Sequence, residues 1–216
     1  MKGESRGYLI SFEGIDASGK NTQSKLLHEY LRTRNVDSEY ISFPDYSTGI
    51  GKEIHNFLSK QVEYNLEARH MLYSANRYEH KERIERWIEE GKTVVINRYS
   101  ESNIAYGTAN GLPVQWLVDL EQRMPRSDYV FLLRITPEVS LKRKSKRDRF
   151  EGDLAFLQRV SEMYDALVEK ERWFPVSGDR PQEEIHYEIS HLVRALFEES
   201  SKSNHEILSS IENESK

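Results

Sequence analysis

The run Tyr8-Leu9-Ile10-Ser11-Phe12 leads straight into Glu13-Gly14-Ile15-Asp16-Ala17-Ser18-Gly19-Lys20, and a helical pattern follows. A strand that breaks into a glycine loop ending in Gly-Lys and then enters a helix leaves few folds open. The loop must turn its backbone N–H groups inward around an anion while the helix N-terminus adds partial positive charge. Gly14 and Gly19-Lys20 fit the spacing of a phosphate loop, but Asn21 stands where Ser or Thr is usual and Thr22 comes one later. An amide oxygen can still face a cation or its water shell. Gly14, Ser18, Gly19, Lys20, Asn21 and Thr22 are therefore candidate nucleotide-binding residues, with Lys20 reaching the outer phosphates as a point charge. The implied ligand is a nucleoside triphosphate.

Short apolar runs over Tyr8–Phe12, Tyr40–Phe43, Thr93–Ile96 and Tyr129–Ile135 read as buried parallel strands, with a weaker one over Trp173–Val176 that contains Pro175. Helical spacing appears between them, over Thr22–Arg34, Leu66–Glu90, Pro113–Met124, Pro137 to about Lys144, Asp153–Glu171 and Gln182–Glu199. Strands alternating with helices predict an α/β fold, a doubly wound parallel sheet of about five strands with helices on both faces. A single domain is expected over 1–199, and the Ser-, Asn-, Glu- and Lys-rich stretch 200–216 reads as a disordered tail. In such a sheet the ligand lies beyond the carboxyl ends of the strands. Glu13-Gly14, Phe43-Pro44-Asp45-Tyr46, Asn97-Arg98-Tyr99 and Thr136-Pro137 follow those strands.

A net charge of -5, from 31 basic and 36 acidic residues, argues against a dedicated nucleic-acid binder. The chain has no cysteine, which excludes disulfides and thiolate metal sites. No stretch is apolar enough to span a membrane and the start lacks a signal-peptide core, so a cytoplasmic protein without a membrane partner is expected.

Several further segments stand in one order: Phe43-Pro44 with Ile50-Gly51-Lys52, Leu72-Tyr73-Ser74-Ala75-Asn76-Arg77, Arg98-Tyr99, Ser102-Asn103-Ile104-Ala105-Tyr106, and Asp148-Arg149-Phe150-Glu151. Together with the loop at 12–23 they resemble the thymidylate kinases over roughly residues 7–197. The resemblance implies a P-loop NTPase-type fold with a mobile arginine-bearing lid at about 143–152, often a homodimer. It implies transfer of the ATP γ-phosphoryl group to dTMP, with Mg²⁺. Alternatives are a kinase for another pyrimidine deoxynucleotide or deoxynucleoside, and a nucleotide-binding regulatory protein with weakened catalysis.

Residue roles follow from both readings. Tyr73 and Arg77 share a helix face at a spacing of four. That spacing alone favours a packed tyrosine and a surface ion pair; the resemblance makes Tyr73 a stacking partner for thymine and Arg77 a donor to its exocyclic oxygen. Arg98, after the third strand, suits the acceptor phosphate, because a guanidinium fork engages two oxygens. Asn103 can read a polar base edge. Phe43, Pro44, Tyr46, Ser102 and Tyr106 complete the expected substrate site, with Tyr46 a hydroxyl donor and Tyr106 beside the sugar. Asp16 is expected to orient the acceptor end, either the sugar hydroxyl or a water on the phosphate. Because Ala17 stands where some relatives carry an arginine in the loop, transition-state charge falls to Arg149 and Arg147, with Arg143 third, on the nucleotide. The metal shell is read as Glu13, Asp16, Asn21 and Asn97; at the last position an aspartate is typical of the family, and an amide offers only a bond to metal-bound water.

Overall fold

A computed structural model describes residues 6–143, 153–168 and 172–214, with side chains as far as 198. The strands are β1 (Leu9–Glu13), β2 (Ser38–Ser42), β3 (Thr93–Asn97), β4 (Tyr129–Arg134) and β5 (Trp173–Ser177). They form one sheet in the order β2-β3-β1-β4-β5, and every neighbouring pair is parallel. β1 thus sits in the middle, with β3 on one side and β4 on the other, and its carboxyl end opens on the crevice where the strand order reverses.

The pleat explains why the central strands read as unbroken apolar runs. On one face, Ile10, Phe12, Val95, Phe131 and Leu133 pack against Leu27 and Leu31 of α1 (Lys20–Thr33) and against Ile185, Ile189 and Val193 of α9 (Gln182–Glu214). On the other face, Leu9, Val94 and Ile96 meet Ile84 and Ile88 of α4 (Lys81–Glu89). Val130 and Leu132 meet Ala105 and Ala109 of α5 (Ser100–Ala109), and Phe156, Leu157, Val160 and Tyr164 of α8 (Leu154–Leu167). With both faces covered, neither set of alternating residues can be polar.

Four places differ from the sequence expectation. The helix expected over Leu66–Glu90 is two, α3 (Leu66–Tyr78) and α4. The chain turns at Glu79-His80, which buries the His80 ring against Phe43 and sets its Nε2 3.1 Å from Asp45. The segment around Ser102–Tyr106, to which the sequence assigned no helix, is the helix α5. Its buried face is made of Asn103, Ala105, Gly107 and Ala109, so small that no apolar stripe marks it. Gly107 lets α5 approach its neighbours: a Cβ there would lie 2.6 Å from the Leu117 methyls of α6 (Val114–Glu121) and 3.1 Å from His70 Cε1. Helix α2 (Gly49–Leu58) is not among the expected helices although Ile50, Ile54, Phe57 and Leu58 stand at helical spacing, and Thr48 caps it by accepting from the Gly51 N–H. At the other end of the chain, helical backbone continues to Glu214 over the stretch expected as a tail, since neither Gly nor Pro follows Pro181 to stop it.

Candidate active site

Two glycines and one alanine shape the loop after β1. Gly14 has φ +133, and a Cβ there would lie 2.4 Å from the Leu133 carbonyl of β4; Ala17 and Gly19 also have positive φ. Lys20 opens α1 yet is buried, its Nζ donating to the carbonyls of Gly14 (2.8 Å) and Ile15 (2.6 Å). The ammonium therefore sits inside the ring of loop backbone, where a phosphate would meet it. Ser18 is buried beside it, whereas Asn21 and Thr22 are exposed and Asn21 Oδ1 accepts from Tyr40 Oη at 3.2 Å. On the far side, Gly178 packs so closely on Ser18 that a Cβ would lie 2.8 Å from the Ser18 carbonyl. Arg143, at the end of α7 (Pro137–Arg143), donates to the Gly178 carbonyl at 2.9 Å and pairs with Asp179. This brings Arg143 to the edge of the phosphate loop. Arg147 and Arg149 lie outside the described residues.

Beyond β1, β2 and β3 a cavity opens. It is lined by Asp16, Phe43, Pro44, Tyr46, Leu58, His70, Tyr73, Arg77, Arg98, Ser102, Asn103 and Tyr106. Every residue assigned to the substrate from the sequence thus borders one cavity, and Leu58 and His70 join them. Arg98 follows β3 with φ +61, a conformation costly for a side chain with a Cβ, and it pairs with Asp16 while its guanidinium lies 5.5 Å from the Tyr106 ring centroid. The phosphate loop and the cavity therefore meet at the Asp16–Arg98 pair.

Glu13 is fully buried with both oxygens engaged. Oε1 accepts from the Tyr99 N–H (2.6 Å), and Oε2 from the hydroxyls of Ser102 (2.6 Å) and Tyr164 (2.9 Å). It ties β1 to α5 and α8, and this corrects its reading as a metal ligand. Asn21, turned to Tyr40, likewise does not face the loop interior. Asn97 is different: Nδ2 donates to Ser42 Oγ at 2.9 Å, while Oδ1 is buried with no hydrogen-bond partner among the described residues. That orphaned oxygen suits a metal-bound water. Among the described residues no three His, Cys, Asp or Glu side chains gather as a metal cluster. A hydrated Mg²⁺ carried largely by substrate phosphates does not require one.

Where Arg77, Asn103 and His70 line the cavity, they belong to a buried polar network. Glu121 of α6 takes Arg77 in a two-pronged ion pair through Nε (3.0 Å) and Nη2. The same carboxylate accepts from Asn103 Nδ2 at 2.8 Å and from Ser100 Oγ at 3.1 Å. Asn103 Nδ2 also faces the His70 carbonyl at 3.2 Å, and its Oδ1 lies 2.7 Å from His70 Nδ1. Burial drives the pKa of His70 down to about 4, against a smaller upward pull from the Asn103 bond. One expectation changes. Arg77 is buried and not a surface ion pair; Glu121 holds its Nε and Nη2 and fixes its orientation at the cavity. Asn103 lines the cavity and engages both ends of its amide within the protein, its oxygen facing His70. Tyr73 stands half-buried beside His70, ring centroids 5.8 Å apart and nearly perpendicular.

A model of the thymidylate kinase family matches residues 12–189. Thymidylate kinase of Plasmodium falciparum is 35% identical over 185 residues, covering 85% of this chain and 88% of that one. Its counterpart in Schizosaccharomyces pombe is 32% identical over 198 residues, with 89% and 94% covered. Among solved structures, thymidylate kinase from Candida albicans superposes with a TM-score of 0.75 at 28% identity, covering 88% of this chain and 92% of that one.

Proposed function

The chain belongs to the thymidylate kinase family, and from that premise we propose how its residues move the ATP γ-phosphoryl group to dTMP. It is a nucleotide kinase, a phosphotransferase, and the chemistry is in-line transfer in which the protein contributes position, charge and exclusion of water. One observation carries the reading: a phosphate loop with a buried lysine and a cavity lined by Tyr73, Arg77 and Tyr106 meet at the Asp16–Arg98 pair.

Lys20 exchanges its two carbonyl partners for the β and γ phosphates of ATP. Arg98 takes the phosphate of dTMP, and Asp16 holds the guanidinium in place until the acceptor arrives. Arg149 and Arg147 supply charge to the transferring group, with Arg143 on the nucleotide. Tyr73 lies on the face of the thymine, and Arg77 donates to its exocyclic oxygen. Tyr106 fills the space a ribose 2′-hydroxyl would need. Mg²⁺, when bound, would supply positive charge that offsets the charge of the phosphates. Toward it this chain offers Asn97 Oδ1 through water, with Asp16 nearby on the loop. We place the reaction in the cytoplasm and in a homodimer; exposed Met71 on α3 and Val114 and Val118 on α6 support an interface between copies. Among the described residues no helix is long and apolar enough to cross a membrane.

An ADP-release assay with ATP and dTMP, dUMP, dCMP or thymidine tests the reading. Turnover of dTMP with little or none of dCMP and thymidine is expected. Preference for thymidine would remove Arg98 from the acceptor phosphate, and ADP release with no acceptor preference would leave only nucleotide binding.

A further inference from the structure

The network beneath the cavity fixes the direction of each of its hydrogen bonds. The Glu121 carboxylate, already engaged by Arg77, accepts only, so the Asn103 atom 2.8 Å from it must be the NH₂ end. The amide oxygen then points at His70 Nδ1, 2.7 Å away, and an amide oxygen also accepts only. His70 must carry its proton on Nδ1, which leaves Nε2 as a bare acceptor. Nε2 makes no hydrogen bond with the described residues, and His70 lines the cavity. Arg77 borders the same cavity, and the two prongs that hold Glu121 leave its Nη1 edge to donate.

We infer that His70 is a specificity-determining residue, accepting the N3–H of the pyrimidine through Nε2 while Arg77 donates to the adjacent exocyclic oxygen. The inference rests on the reading of this cavity as the dTMP site. An acceptor beside a donor matches thymine and uracil, which present N3–H next to a carbonyl. It rejects cytosine twice, since cytosine offers a lone pair at N3 and an amino group beside it. Buried polar groups left unpaired discriminate far more strongly than shape. Burial keeps the ring neutral across the physiological range, so the acceptor is not lost to protonation. Asn103 is the positioning residue: it sets the tautomer without touching the base.

The test pairs an atom of the substrate with an atom of the protein. Wild type, His70→Phe and His70→Gln are assayed with dTMP and with its N3-methyl analogue, which keeps both ring carbonyls and has no N3–H. Wild type should favour dTMP in kcat/KM by about 100-fold or more. In His70→Phe that ratio should collapse toward unity, mostly through loss of dTMP activity, and His70→Gln, which keeps an acceptor, should restore part of it. An unchanged ratio in His70→Phe overturns the inference. Failure of wild type to phosphorylate dTMP at all would instead overturn the underlying assignment of the site. Nitrogen-15 NMR of the wild type needs no variant. It should find the free ring neutral with hydrogen on Nδ1, and Nε2 shifting as an acceptor when dTMP is added. A proton on Nε2 contradicts the inference.

Discussion

The site is built from residues whose partners are fixed before any ligand arrives, and two of them give direct predictions. Asn97 ends β3 with a buried oxygen that no described residue engages. Restoring a carboxylate by Asn97→Asp keeps the shape and lets the Ser42 hydroxyl rotate to donate. It adds a negative charge in a partly desolvated site, where Coulomb terms exceed their value in water. The half-saturating Mg²⁺ concentration in the kinase assay should fall, with kcat unchanged or higher; an unchanged or weaker metal dependence would put Asn97 outside the metal shell. His70 gives the second. Its folded pKa, about 4, lies below the unfolded value of 6.5. The unfolded chain therefore binds a proton that the native ring refuses. The stability this ring contributes is fully present above pH 6.5 and is lost as pH falls toward 4, by on the order of 3 kcal/mol in all. Urea unfolding at pH 7.5, 6 and 5 should show a steeper decline for wild type than for His70→Gln; parallel declines would deny the shift. Much of the site was legible at this scale, because Tyr73, Arg77, Arg98 and Tyr106 sit in local patterns. His70 was within reach too, three residues before Tyr73 on the same helix face. Glu121 was not: it lies 44 residues from Arg77, and no local pattern announces an ion pair made by tertiary packing.

Among the elements, α5 does the most to position the site, and it was the hardest to read. Strands announce themselves through buried apolar runs, and their placement from sequence agreed with the sheet because a doubly covered sheet leaves no polar alternation to confuse the pattern. The helix α5 carries Ser102, Asn103 and Tyr106 on a face whose buried members are small, so its signal is weak although its packing is tight. Gly107→Ala measures that tightness. The substitution gains about 1 kcal/mol of helix propensity, but the new methyl sits within 3.1 Å of His70 Cε1 and closer still to Leu117, both fully enclosed. Overpacking costs about 1–3 kcal/mol. The melting temperature should fall, and KM for dTMP should rise more than KM for ATP, since α5 moves away from His70 and not from the phosphate loop. A stabilised variant with unchanged dTMP binding would show that α5 and α3 have room to separate.

At the scale of the whole molecule, the helices α3 and α6 that line or support the cavity also carry exposed apolar side chains. Val114 and Val118 lie one turn apart on α6, both outside the core although Leu117 between them is fully buried, and Met71 is exposed on α3. α3 and α6 pack against each other. The same helices carry His70, Arg77 and Glu121, and Glu121, two turns from Val114 and three residues from Val118, lies beside them on α6. A homodimer through the exposed side of α6 would bury Val114 and Val118 and brace the helix turn that carries Glu121, coupling assembly to the polar network. The variant Val114→Glu/Val118→Glu places two carboxylates per copy in the contact, where a pair of copies would desolvate them together. Sedimentation should find the wild type dimeric at micromolar concentration and the variant monomeric. The monomer should keep its circular dichroism spectrum, because neither valine is in the core, while KM for dTMP rises several-fold and KM for ATP stays close to wild type. A wild type that sediments as a monomer would refute the interface. A monomeric variant with unaltered dTMP kinetics would leave the interface standing but show that α3 and α6 hold the base network rigid on their own.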